Sequence, residues 1–171
     1  MMKRPENGFT LMEMVAALTV LALLAAIVSP LLSNGARAYN DSAAALHTLS
    51  NLRVASERLV REIREIRRDG SGNYDISLPL SSSTLQFFKT DTEQVTVSAA
   101  VPLLRLAYAS IAGTPTLSDD VSAFSFSYFQ ADGSLPATDN SDVAFIEFEL
   151  VLSHAGNNYA QRSRVALRNQ P

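Results

Sequence analysis

From Met14 to Leu32 the chain reads MVAALTVLALLAAIVSPLL, nineteen residues without a charged side chain, and this run limits what the rest of the molecule can be. Its hydroxyls, Thr19 and Ser29, can bond back to a helix. A membrane-spanning helix needs roughly 20 apolar residues at about 1.5 Å rise each, whereas the apolar region of a secretory signal has about 7 to 15. Length therefore predicts an anchor. Lys3 and Arg4 precede the run, and the charges from Glu57 to Arg68 lie far beyond it. The positive-inside rule then keeps the short N-terminal tail in the cytoplasm and sends everything after about Asn34 outside. Two alternatives stay open on hydropathy alone. Ala36-Arg37-Ala38 has the A-x-A form of an ordinary signal-peptidase site, with a cut before Tyr39. A plain uncleaved signal anchor would simply tether the soluble part.

Neither alternative accounts for Glu13, a carboxylate at the head of the apolar stretch. An acidic side chain within a bilayer costs about 2.5 to 3.5 kcal/mol on insertion scales, so such a residue calls for a function and a partner. Lys3 and Arg4 are the only cations nearby. A cut after Gly8 would create an α-amino group on Phe9, one helical turn from Glu13. Among staggered identical helices the carboxylate could pair with a neighbouring chain's amine, since buried charges persist when matched. Gly8 suits such a cut because a residue without Cβ lets a protease close on extended backbone. Standing alone, it would read as a loop glycine after Asn7.

The run Gly8-Phe9-Thr10-Leu11-Met12-Glu13, with Lys3 and Arg4 before it and the apolar helix after it, resembles the type III signal of the type IV pilin and type II secretion pseudopilin superfamily. The resemblance covers about 25 residues with four nearly fixed identities, more specific than a hydropathy match. It implies that a prepilin peptidase cuts between Gly8 and Phe9, that Phe9 becomes N-methylated, and that Glu13 guides docking. Pro30 matches the helix-kinking proline of many pilins. Met12 and Met14 stand where Ile, Leu or Val are usual, a conservative departure.

Past Pro30 the apolar pattern turns periodic: Leu46, Leu49, Leu52, Leu59, Ile63 and Ile66 predict one stripe of an amphipathic helix. Arg53, Glu57, Arg58, Arg61, Glu62, Arg64, Glu65, Arg67 and Arg68 fill its other faces and read as a solvated surface, with a docking surface for a partner subunit as the other reading, and Glu57 and Arg61 form an i,i+4 pair. Asp69-Gly70 supplies a stop, Gly70 suiting the αL position after a helix end. The helix is thus expected from Phe9 to about Arg68, roughly 90 Å long, kinked at Pro30 and loosened at Asn34-Gly35. Strands are expected at Ser83 to Phe88, Gln94 to Ala100, Leu103 to Ala109, Val121 to Phe129, Val143 to Leu152 and Tyr159 to Leu167, each bounded by turn formers. Glu147 and Glu149 mark a solvent face opposite Ile146, Phe148 and Leu150. Ala131-Asp132-Gly133-Ser134 reads as a tight turn and His154 to Asn158 as a hairpin connection. The expected fold is α+β: a long N-terminal helix, its first half transmembrane, packed on a C-terminal antiparallel sheet in a meander. The resulting divisions are a leader at 1–8, a transmembrane and assembly segment at 9–33, an amphipathic half at 34–68 and a β-rich head at 69–171.

Little in the sequence suits catalysis. The net charge of -3 offers no basic field for nucleic acid, and the lack of cysteine removes thiolate chemistry and disulfides. His47 and His154 have no partner at zinc-binding spacing, and there is no G-x-S-x-G elbow. Enzyme activity, a cofactor and a metal are not expected. Asp139, Asn140 and Asp142 form the one cluster with the hard oxygen donors that calcium prefers, but without the EF-hand glycine and terminal glutamate; a polar surface loop is the other reading.

Within the resembled superfamily, major pilins usually carry a C-terminal disulfide loop, so the absence of cysteine tilts toward minor pilins or pseudopilins. Arg58 to Arg64 and the stretch Val165-Ala166-Leu167-Arg168-Asn169 are similar to minor subunits of the J/W class. Those relatives help initiate a type IV pilus, mannose-sensitive haemagglutinin pili included, or a type II secretion pseudopilus. The implied partners are other major and minor pilins or pseudopilins, the prepilin peptidase, an inner-membrane assembly platform and the membrane itself. The competing reading is a signal-anchored extracytoplasmic binding module that forms no filament.

Overall fold

The computed structural model describes residues 10–167. One helix, α1, spans Leu11–Arg64 and carries Pro30 and Gly35 within it, so the expected loosening at Asn34-Gly35 does not interrupt it. Its N-cap is Thr10. The Glu13 N–H donates to Thr10 Oγ1 at 3.3 Å and to the Thr10 carbonyl at 3.1 Å, which also takes the Met14 N–H at 3.2 Å. Thr10-x-x-Glu13 is the spacing of a capping box, and it places the acidic residue in the first turn, where the helix dipole favours it.

The chain falls into two compact units that divide between Ala44 and Ala45. In the first, every described residue as far as Ala43 is exposed, the apolar run included. The second unit holds the hydrophobic core. From α1 it takes Thr48, Leu52, Ala55, Ser56, Leu59, Glu62 and Ile63 into buried positions. Leu46 and Leu49, expected on that stripe, are exposed. At about 100° per residue Leu46 sits about 120° around the helix from Leu52, so the leucine spacing overstated the stripe.

The helix stops four residues earlier than expected. Ile66 makes a β-bridge with Lys89 and Arg68 one with Tyr74, and the Arg67 N–H donates to the Phe88 carbonyl at 3.0 Å. The sheet takes over the backbone groups that another helical turn would have used. Gly70 is not the left-handed residue after this end; in that turn Gly72 is, with φ 85°.

Among the described residues seven strands follow, in two sheets rather than one. The first has β1 (Thr84–Phe88), β2 (Gln94–Ala100), β3 (Leu103–Tyr108) and β4 (Thr116–Ser118) in sequential antiparallel order. The second has β5 (Val121–Phe129), β6 (Phe145–His154) and β7 (Asn157–Ala166), also a meander. Leu85, Phe87, Val95, Val97 and Leu104 of the first sheet and Phe126, Ile146, Phe148, Leu150 and Val165 of the second join Leu52, Leu59 and Ile63 in one buried cluster. The sheets are tied by the Phe126 N–H to the Ser82 carbonyl at 2.7 Å and by Tyr128 Oη to the Ser81 carbonyl at 2.8 Å. β6 and β7 meet through a two-residue loop, Ala155-Gly156, with φ 50° and 80°. Positive φ at both central residues is the type I′ signature, whose twist matches the flanking strands. The Asp132 turn forms as expected, its carboxylate accepting from the Ser134 and Leu135 N–H groups.

Candidate functional site

Among the described residues, the first unit presents a helix surface that is exposed as far as Ala43. Leu11 and Met12 are each 82% exposed and Leu32 75%, and among the described residues α1 is the one helix long and apolar enough to cross a membrane. Such a surface is stable in lipid or against other helices, not in water. Glu13 is exposed at its start, its main chain fixed by the Thr10 cap. Gly8 and Phe9, the expected cleavage residues, lie outside the described residues, as do Lys3, Arg4, Arg168 and Asn169. Thr10 was not singled out in the sequence, although the Thr-x-x-Glu spacing was there to be read.

The second unit carries two charged clusters, and neither resembles a catalytic site. Glu62 lies on the buried face of α1, with its side chain only 3% exposed. Arg58 Nε approaches its Oε1 at 3.0 Å, Tyr108 Oη donates to the same oxygen at 2.8 Å, and Lys89 Nζ stands 3.3 Å from Oε2. Arg58 also donates to Tyr108 Oη at 2.6 Å, and Lys89 reaches Glu65 at 2.6 Å. The hydrogen bond to Glu65 holds the Lys89 ammonium above the ordinary lysine range against the opposing effect of burial. This cluster joins α1 to the first sheet. It also corrects the reading of Arg53 to Arg68 as a wholly solvated face. Glu57, expected to pair with Arg61, instead takes Arg53 at 2.7 Å.

The second cluster is on β6 and β7. Glu147 has the strand parity of the solvent face, yet it is 7% exposed because Arg162 and Arg164 close over it. Arg162 donates to Oε1 from Nε at 2.6 Å and from its terminal nitrogen, and Arg164 Nε donates to Oε2 at 2.8 Å. Burial alone would raise the Glu147 carboxyl; the two guanidinium groups overcome it and hold the group below the ordinary glutamate range.

The remaining candidates do not converge. Asp139, Asn140 and Asp142 lie on a surface turn closed by the Asp142 N–H to the Asp139 carbonyl at 3.2 Å. His47 is exposed beside Asn51, and His154 ends β6. Among the described residues no three His, Asp or Glu side chains gather as a metal would require. What the described residues offer chemically is an exposed apolar helix surface and a well-clamped head.

Comparison with known proteins agrees with that division. Residues 3–29 match the family model described as the prokaryotic N-terminal methylation motif. No curated protein matches the chain. The match takes in Gly8, Phe9, Glu13 and the apolar run to Ser29, and the head beyond it is the α+β arrangement of a helix on antiparallel sheets. The N-terminal match supports the type IV pilin and pseudopilin superfamily for this chain.

Proposed function

We propose that this protein is a minor pilin or pseudopilin of the J/W class, a structural subunit that helps initiate or build a type IV pilus or a type II secretion pseudopilus. As a precursor it stands in the inner membrane with its head in the periplasm. Prepilin peptidase cuts between Gly8 and Phe9 and the new terminus is N-methylated. The subunit then leaves the bilayer as Glu13 pairs with the N-terminal amine of a neighbouring subunit, and helix packing replaces lipid contact. Pro30 bends the helix to fit its neighbours.

One observation carries this reading: a carboxylate stands at the head of a helix whose surface is apolar and uncovered as far as Leu32. Lipid alone leaves that charge unmatched, whereas a filament of processed subunits supplies an amine for each one. N-terminal sequencing and mass analysis of protein recovered from membranes test it. Methylated Phe9 as first residue is expected; Tyr39 would indicate ordinary secretion, and Met1 a plain anchor, and either overturns the reading. Glu13→Ala should still be cut but should enter filaments poorly, and incorporation at the wild-type level would remove the pairing step.

A further inference from the structure

Among the strand edges, one is unlike the rest. β4 is three residues long, and the outer edge of β1 is covered by Ser77 N–H to the Gln86 carbonyl and Phe88 N–H to the Asp75 carbonyl. β5 is covered at Phe126 by Ser82 and at Tyr128 by Ala137. β7 is ten residues long, and its register with β6 turns the backbone N–H and C=O groups of Asn158, Ala160, Arg162, Arg164 and Ala166 to the open side. No backbone partner meets them among the described residues. A long bare edge invites pairing with another chain, and proteins usually shorten or cover it.

Beside this edge lies a cleft of about 500 Å³ between α1 and β7, lined by Ser56, Val60, Arg61 and Arg64 from the helix and by Gln161 and Ser163 from the strand. Glu57 and Glu65 also border it, but Arg53 takes the first and Lys89 the second. Arg61 and Arg64 have no ion-pair partner among the described residues. Ser56 Oγ, in a residue 1% exposed, has no hydrogen-bond partner among the described residues. The cleft thus borders the bare edge of β7, and among the described residues its two arginines are left without a carboxylate partner.

We propose that β7 receives an extended strand from a different protein subunit, paired through the open backbone groups and carrying carboxylates at alternate positions that meet Arg61 and Arg64 in the cleft. Strand addition of this kind takes affinity from the main chain and specificity from every second side chain. A second copy of this chain fits poorly. On the helix-facing side its β7 offers Tyr159, Gln161 and Ser163, with no carboxylate, and it would bring a further Arg61 and Arg64 with it. The inference concerns the head alone and stands whether or not the chain is cut at Gly8.

The test uses the full-length protein in detergent micelles and two labelled synthetic decapeptides, one alternating glutamate with valine and threonine, the other identical but with lysine for glutamate. Binding is read by fluorescence anisotropy. The acidic peptide should bind at least about tenfold more tightly than the lysine peptide and lose at least about tenfold with Arg61→Glu/Arg64→Glu. Ala160→Pro removes one outward N–H while leaving the β6 pairing intact, a position where an edge strand accepts proline, and should cost a similar factor at unchanged circular dichroism. Equal binding of both peptides, acidic binding that survives Ala160→Pro, no binding of either, or self-association that Ala160→Pro abolishes would each overturn the proposal.

Discussion

Glu147 is a carboxylate on the solvent-parity side of β6 that two arginines bury. Its place opposite Phe148 and Leu150 follows from strand parity, and the parity holds: Glu149 is exposed and Ile146, Phe148 and Leu150 are buried. Its burial could not be read, because Arg162 and Arg164 come from 15 and 17 residues away and reach it only once β6 and β7 are in register. The clasp has a consequence for pH. A carboxyl held below its ordinary range in the folded state adds stability that is fully present above the unfolded value, about 4.3, and is lost as pH falls through the folded value. Wild type should therefore exceed Glu147→Gln in urea midpoint at pH 7, and the gap should be narrower at about pH 3, below the unfolded-state value. A gap that is the same at both pH values would show that the guanidinium pairing contributes nothing. Thr10 is the opposite case, a local signal three residues from Glu13 that needed no tertiary structure to be seen.

At the scale of elements, six strands fall within about two residues of their expected positions, because each has a periodic core flanked by turn formers. β4 carries no such signal; Thr116-Leu117-Ser118 is too short for alternation and is held by two pairings to β3. Sheet membership was also illegible, since alternation fixes which face of a strand is buried and not which neighbour it joins. The charge-rich end of α1 shows the same limit in energetic form. Arg53–Glu57 and Arg58–Glu62 are both i,i+4 pairs in sequence, but the second is closed under Lys89 and Tyr108 of the sheet. Removing one partner of a buried pair costs about 3 to 5 kcal/mol, while exposed pairs give little. Glu62→Ala should thus lower head stability by about 3 kcal/mol, with Glu65 still serving Lys89, whereas Glu57→Ala should leave the unfolding midpoint within error. Chemical denaturation of the two variants separates them, and equal effects would place Glu62 among ordinary surface charges.

For the whole molecule, the two halves of the sequence answer to different solvents. The residues up to Ala43 expose leucine, isoleucine and valine on every side, and this part of α1 is long and apolar enough to cross a membrane. The unit from Ala45 contains every buried residue of α1, from Thr48 to Ile63, together with both sheets, and its core needs nothing from the apolar run. A fragment beginning at Asn40 keeps Asp41 and Ser42 as candidate caps for the shortened helix, so the new terminus should cost no more than about 1 kcal/mol. It is expected to be soluble without detergent, to unfold in one cooperative transition and to melt within about 5 °C of the full chain in micelles. Circular dichroism during heating measures this. A fragment that aggregates or melts without a sharp transition would mean that the exposed half of α1 stabilises the head, and the division of labour between an exposed apolar helix and a self-sufficient head would have to be given up.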